Sequence, residues 1–161
     1  MVKINLLFKA ELVNVTDLKP ESDDYDWHFK IKCNSCNEVD QNWITLNRTE
    51  TSDVSGSRGE ANLVMRCKFC KRESSATFDE AQKVRPYTIE DSGSFARMVT
   101  LDCRGLEPVE FEPRDGWVCK GAESNTPFEE IDLSDQEWAD YDDKSNDEVS
   151  IMEIEAKFEK A

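Results

Sequence analysis

One histidine, His28, is all the imidazole this 161-residue chain has to offer a metal or a substrate. A catalytic zinc ion is usually held by histidines beside an open coordination position, so metal-assisted hydrolysis is disfavoured. Long apolar runs are also missing. Nothing approaches the roughly 20 residues of a membrane span. Asn5, Lys9 and Glu11 interrupt the apolar N-terminal stretch before it could act as a secretion signal. A glycine-rich phosphate loop, a nucleophile elbow and a Ser/His/Asp set are absent. Positive charge is scarce: 20 Lys and Arg face 35 Asp and Glu, a net charge of −15. That balance argues against nucleic acid or an anionic membrane as the main partner. The deficit is concentrated at one end. Residues 107–161 carry 5 basic and 18 acidic groups, whereas residues 1–106 carry 15 and 17. Solubility is the simpler use of this acidic third, and a basic protein partner the sharper one.

Sulfur is what the chain does have, in two short pairs, Cys33-Asn34-Ser35-Cys36 and Cys67-Lys68-Phe69-Cys70. A C-x-x-C turn aims two thiolates and several backbone N–H groups at one point. Two such turns supply the complete tetrahedral shell of a structural zinc ion. The spacer of 30 residues exceeds the usual 15–20 of a compact ribbon. Ser55-Gly56-Ser57-Arg58-Gly59 lies within it, so an extra loop or hairpin arm accounts for the excess. Asn37, directly after the first pair, suits the left-handed residue that a knuckle turn needs. The sequence thus predicts one Zn²⁺ per chain on Cys33, Cys36, Cys67 and Cys70.

Two other uses of the pairs are weaker. A thioredoxin-like redox pair needs a helix starting at the motif, whereas both pairs here end strand-like runs. Disulfides suit secreted chains, and no secretion signal is visible. Four thiolates on one Zn²⁺ leave a formal charge of about −2. Lys30, Lys32, Arg66, Lys68, Lys71 and Arg72 flank the pairs and would offset it. A nucleic-acid patch is the less favoured use of the same cations.

Strand patterning fills the rest. Ile4, Leu6, Phe8, Ala10 and Leu12 alternate with polar residues, as do Tyr25, Trp27, Phe29, Ile31 and Cys33. Further strands are predicted over 41–46, 61–66, 74–78, 95–103, 109–111 and 116–119. In the last strand Met152, Ile154, Ala156 and Phe158 share a face. Ser134 and Glu137 form a capping-box pattern that predicts a helical turn within 133–141. The expected fold is mainly β, an antiparallel sandwich or open barrel with the zinc knuckles inserted. Length allows one β domain over 1–161, with a zinc-bearing half, 1–90, and an acidic, metal-free half, 91–161. A short echo, Leu18-Lys19-Pro20 before Trp27 and Leu106-Glu107-Pro108 before Trp117, hints that the halves are pseudo-duplicated.

Other residues read as structure. His28 lies on the polar face of its strand and is expected at the surface. Cys103 and Cys119 are expected as buried free thiols. The run from Asp140 fails as a calcium loop, because Lys144, Ser145 and Ile151 occupy its fifth, glycine and bidentate-glutamate positions. The four tryptophans are too dispersed for a base-stacking platform.

In order along the chain, these motifs resemble a eukaryotic family of CXXC-motif-containing zinc-binding proteins that has no established reaction. The resemblance rests on Cys33-x-x-Cys36, on Arg58-Gly59 ahead of Cys67-x-x-Cys70-Lys-Arg-Glu73, and on Cys103-Arg-Gly-Leu-Glu-Pro108. It continues through Trp138-x-Asp-Tyr-Asp-x-Lys144 and the closing Val149–Phe158 strand, and does not include Cys119. It implies a mainly β fold and zinc on the four paired cysteines. The function expected is a non-enzymatic zinc protein of the cytosol, with the nucleus as a second site. It would act as a monomer through protein–protein contact. Lys68 and Phe69, at a knuckle tip, are the candidate partner-binding residues, and a metallochaperone is one candidate partner. A thiol redox protein and a zinc-ribbon nucleic-acid binder are the alternatives.

Overall fold

The computed structural model describes residues 2–56 and 59–161. Among the described residues, fourteen strands run in chain order. They are β1 (Val2–Val13), β2 (Val15–Pro20), β3 (Trp27–Cys33), β4 (Ile44–Leu46), β5 (Ser52–Asp53), β6 (Glu60–Ala61) and β7 (Leu63–Arg66). Then come β8 (Glu73–Phe78), β9 (Ala96–Arg104), β10 (Leu106–Phe111), β11 (Trp117–Gly121), β12 (Pro127–Ile131), β13 (Trp138–Asp142) and β14 (Asp147–Lys160). All pairings are antiparallel. A six-stranded sheet, β13-β14-β1-β9-β8-β7, curls into a half barrel, and strands from 1–90 and 91–161 interleave within it. Two three-stranded sheets, β10-β3-β4 and β12-β11-β2, pack against its inner face.

Rings set the spacing of this core. Phe8 of β1 stacks on Trp117 of β11 at 6.1 Å, and Trp27 of β3 lies 6.1 Å from Phe78 of β8. Trp27 and Trp117 meet edge to face at 6.2 Å, joining the two small sheets. All four rings are buried, and such pairs add specific geometry to area burial. The alternating residues of β1 and β3 point inward as their period-2 pattern requires.

The strand plan occurs twice. β1 to β4 with β7 and β8 follow the same order as β9 to β14, and β1 and β9 lie side by side at the centre. The small sheets exchange strands between halves, because β2 pairs with β11 and β10 with β3. The added piece is the β5–β6 arm, a two-strand hairpin in the long spacer between the cysteine pairs. Ser57 and Arg58 of the spacer motif lie outside the described residues.

Several sequence expectations need correction. The Leu-x-Pro and Trp echo is out of register. Leu106 pairs with Cys33 where Val15 pairs with Gly121, so Val15, not Leu18, is the counterpart of Leu106. The expected helical turn at 133–141 is a turn followed by β13. The Asp132 carboxylate accepts the Ser134 N–H at 2.8 Å, and Gln136 takes a left-handed φ of 64° that breaks a helix. The closing strand changes phase. Val149 and Ile151 are buried, whereas Met152 is only partly covered and Ala156 is exposed. A bulge with Glu153 at φ 54° accounts for the switch.

Candidate metal centre

Both knuckles grow from strand ends. The first follows β3 and the second joins β7 to β8. In each, the first cysteine anchors the turn through its own peptide groups. Cys33 N donates to Glu38 O at 2.9 Å, and Asn37 N to Cys33 O at 2.7 Å. Cys67 N donates to Arg72 O at 2.9 Å, and Lys71 N to Cys67 O at 2.9 Å. Asn37 and Lys71 close these turns with φ of 63° and 67°. The asparagine was legible as a left-handed residue, but the lysine was not.

The four sulfurs lie within 4.8 Å of one another, with Cys33–Cys70 and Cys36–Cys67 both at 3.7 Å. These contacts are far beyond a disulfide bond of about 2.05 Å. A Zn–S bond of about 2.3 Å gives a tetrahedron with edges of about 3.8 Å, which the two contacts match. Cys33 and Cys67 are buried, and Cys36 and Cys70 half-buried. The N–H groups of Cys36 and Ser35 bring Cys33 down to about 6, and those of Cys70 and Phe69 lower Cys67. The N–H of Glu38 also favours the Cys36 thiolate. Burial and hydrogen bonds to the other sulfurs outweigh it and push this thiol up to about 12. Four thiolates therefore need a cation among them, and the donor set suits zinc. A zinc ion held by all four sulfurs would have no position left for an activated water.

Five of the six flanking cations make side-chain contacts within the fold. Lys32 pairs with Glu107 at 2.7 Å, and Lys30 with Glu110 at 3.6 Å, both across the β3–β10 ladder. The Arg66 guanidinium donates to Lys71 O at 2.6 Å, and Lys71 Nζ to Lys68 O at 2.9 Å. Lys68 reaches Asp40 at 3.6 Å and lies 5.4 Å from the centroid of the Phe69 ring. Phe69 itself is 52% exposed. A cleft beside it is lined by Ile31, Met65, Leu106, Glu38, Asp40 and Phe69. Its cavity volume of about 20 Å³ holds roughly one water, too little to bury a small-molecule ligand. Sequence reading missed Asp40, which nothing in the local pattern marks.

The remaining candidates stand apart from the sulfurs. Cys103 on β9 and Cys119 on β11 are buried, and burial pushes both thiols up to about 12. His28 is half-buried rather than exposed. Desolvation lowers its pKa, and its buried Nδ1 has no hydrogen-bond partner. No helix among the described residues is long and apolar enough to cross a membrane.

A family profile described as CXXC motif containing zinc binding protein, eukaryotic, matches residues 5–159. A Xenopus laevis protein of that name is 44% identical, and the human one 39% identical, each over 99% of both chains. The crystal structure of C1orf123 superposes with a TM-score of 0.93 at 39% identity, covering 99% of each chain. A hypothetical protein from Plasmodium falciparum shares the fold, with a TM-score of 0.86 at 24% identity over 99% of this chain and 100% of that one. With the profile spanning nearly the whole chain and four sulfurs in place, the protein belongs to the eukaryotic CXXC motif containing zinc binding family.

Proposed function

We propose that the zinc centre is a rigid mount for a protein-docking surface, and that the chain performs no catalysis of its own. The observation that carries this reading is Phe69, a large apolar side chain 52% exposed at the tip of a turn pinned by two metal ligands. Exposed aromatics on rigid supports make good interface anchors, because little entropy is lost when they are covered. Lys68 beside the ring, with Asp40 and Glu38 lining the adjacent cleft, supplies a polar rim. The four-sulfur shell suits a structural ion better than one handed on, which favours docking over metal transfer. A metallochaperone is one partner class for this role, met in the cytosol.

Photo-crosslinking tests the reading. A photoreactive residue placed at Phe69 is compared in cells with one at Val109, which is 37% exposed on β10. A crosslinked protein specific to position 69, and lost on Lys68→Glu, supports docking at the knuckle. Identical crosslinks from both positions, or none, would remove it.

A further inference from the structure

The second half contains a counterpart of each zinc knuckle, and neither contains a thiol. Between β11 and β12, Gly121 N donates to Thr126 O at 2.8 Å and Asn125 N to Gly121 O at 3.0 Å. These bonds repeat those of Cys33 with Glu38 and Asn37. Ala122 N donates to Asn14 O at 2.9 Å, as Asn34 N does to Gly105 O at 3.0 Å. Asn125 and Asn146 have φ of 59° and 57°, matching Asn37 and Lys71. Position by position, Gly121, Ser124, Asp142 and Ser145 stand where Cys33, Cys36, Cys67 and Cys70 stand in the first half.

A carboxylate holds this second pair of turns together. Asp142, 1% exposed, accepts a hydrogen bond from the Ser124 hydroxyl on Oδ2. Its Oδ1 accepts from Thr126 Oγ1 at 2.8 Å, Lys144 N at 3.0 Å and Ser145 N at 3.4 Å. The donors come from both turns, so one anion ties them as a metal ion would. Gly121 is fitted to the arrangement. A Cβ there would lie 2.5 Å from Asp142 Oδ2 and closer still to the Ser124 hydroxyl.

We propose that this constellation is a metal site whose cation has been replaced by the Asp142 carboxylate, and that its backbone still forms a latent cradle for a second zinc. The hydrogen bonds of Asp142 do without a metal what four thiolates do with one in the first half. Buried charge-assisted hydrogen bonds are strong enough for such a role. The β11–β12 turn repeats the first knuckle bond for bond, and the β13–β14 turn shares the left-handed residue of the second, so the side chains decide which half binds metal. Of the side-chain atoms that would crowd a Cβ at position 121, the Asp142 carboxylate oxygen leaves on substitution, and the γ atom of residue 124 turns towards the metal, as the Cys36 sulfur turns towards Cys67 in the first half.

The test is the full-length quadruple variant G121C/S124C/D142C/S145C, with metal content read by elemental analysis and native mass. Two zinc ions per chain, with cobalt absorption at twice the wild-type intensity, are the expected result. A folded variant that holds only one metal overturns the proposal. Asp142→Asn decides the matter if the quadruple variant does not fold. It should leave zinc at one per chain and speed amide exchange at Lys144 and Ser145 about tenfold or more. Unchanged exchange there would show that the carboxylate is not the clasp.

Discussion

Cys33 and Cys70, 37 positions apart, bring their sulfurs to 3.7 Å. That contact joins the end of β3, in a small sheet, to the β7–β8 turn at the edge of the large one. The metal therefore acts as a cross-link between sheets, on top of a core that already packs two tryptophans and several other rings. Removing it should loosen the edge without dissolving the centre. In chelator, amide exchange should rise at 34–38 and 68–72 while β1 and β9 stay protected. Loss of protection across both strands would mean that the whole domain depends on zinc.

Thiol reactivity gives a second test, aimed at the redox alternative. Ligated thiolates react slowly with alkylating agents, and Cys103 and Cys119 are buried thiols held up at about 12. Native zinc-loaded protein should incorporate almost no iodoacetamide on the timescale at which chelated protein takes up four equivalents. One cysteine modified at once in the zinc-loaded form would favour a redox role.

Acid should release the Asp142 clasp. The Ser124 hydroxyl first, then Thr126 and the N–H groups of Lys144 and Ser145, hold its carboxyl down at about 2. The folded value lies below the ordinary unfolded value of about 3.9. Its contribution is therefore fully present above about 4 and is lost as pH falls towards about 2. The stability gap between wild type and Asp142→Asn should be constant from pH 7 to about 5 and shrink below that. Denaturation curves at several pH values measure it. A gap unchanged at pH 3 would contradict the assignment.

Gly105 is a positioning residue for the first knuckle. It has φ 78°, accepts the Asn34 N–H at 3.0 Å, and a Cβ would lie 2.9 Å from Ser74 Oγ. Gly105→Ala should cost about 1–3 kcal/mol. Adding Ser74→Ala should recover part of that loss, because the hydroxyl is the atom in the way. A double-mutant cycle with no coupling would mean that the strain is all in the backbone.

Trp117 is one of the two tryptophans at the centre of the core. It is fully buried and within 6.5 Å of Phe8, Tyr25, Trp27 and Phe111. Trp117→Ala should cost about 3–5 kcal/mol in denaturant titrations. Trp117→Phe should cost much less, since an aromatic ring still fills most of the space.

The sequence was legible where one local rule governed. Strict alternation marked β1 and β3, whose inner faces meet a dense core. The C-x-x-C spacing marked the four ligands, because the turn geometry is local even though the two turns are distant in sequence. Features set by non-local pairing were not legible. The bulge at Glu153 shifts β14 by one residue without any turn residue to announce it. The duplication was anticipated from an echo that is out of register, because the true counterparts of Cys33 and Cys67 are Gly121 and Asp142. The residues at left-handed positions, Asn37 and Asn125 or Gly105 and Asn14, carry its clearest trace. Asp142 lay in the rejected calcium run, and its hydrogen bonds to Ser124 and Thr126 come from a turn that no spacing rule connects to it.

Elemental analysis of freshly purified protein, with native mass of wild type and Cys67→Ser, tests the central claim most directly. One zinc per chain in the wild type, with affinity reduced at least about a hundredfold in the variant, is the predicted result. No metal in the wild type, with oxidised cysteine pairs, would contradict the four-thiolate site and move the thiol redox reading into its place.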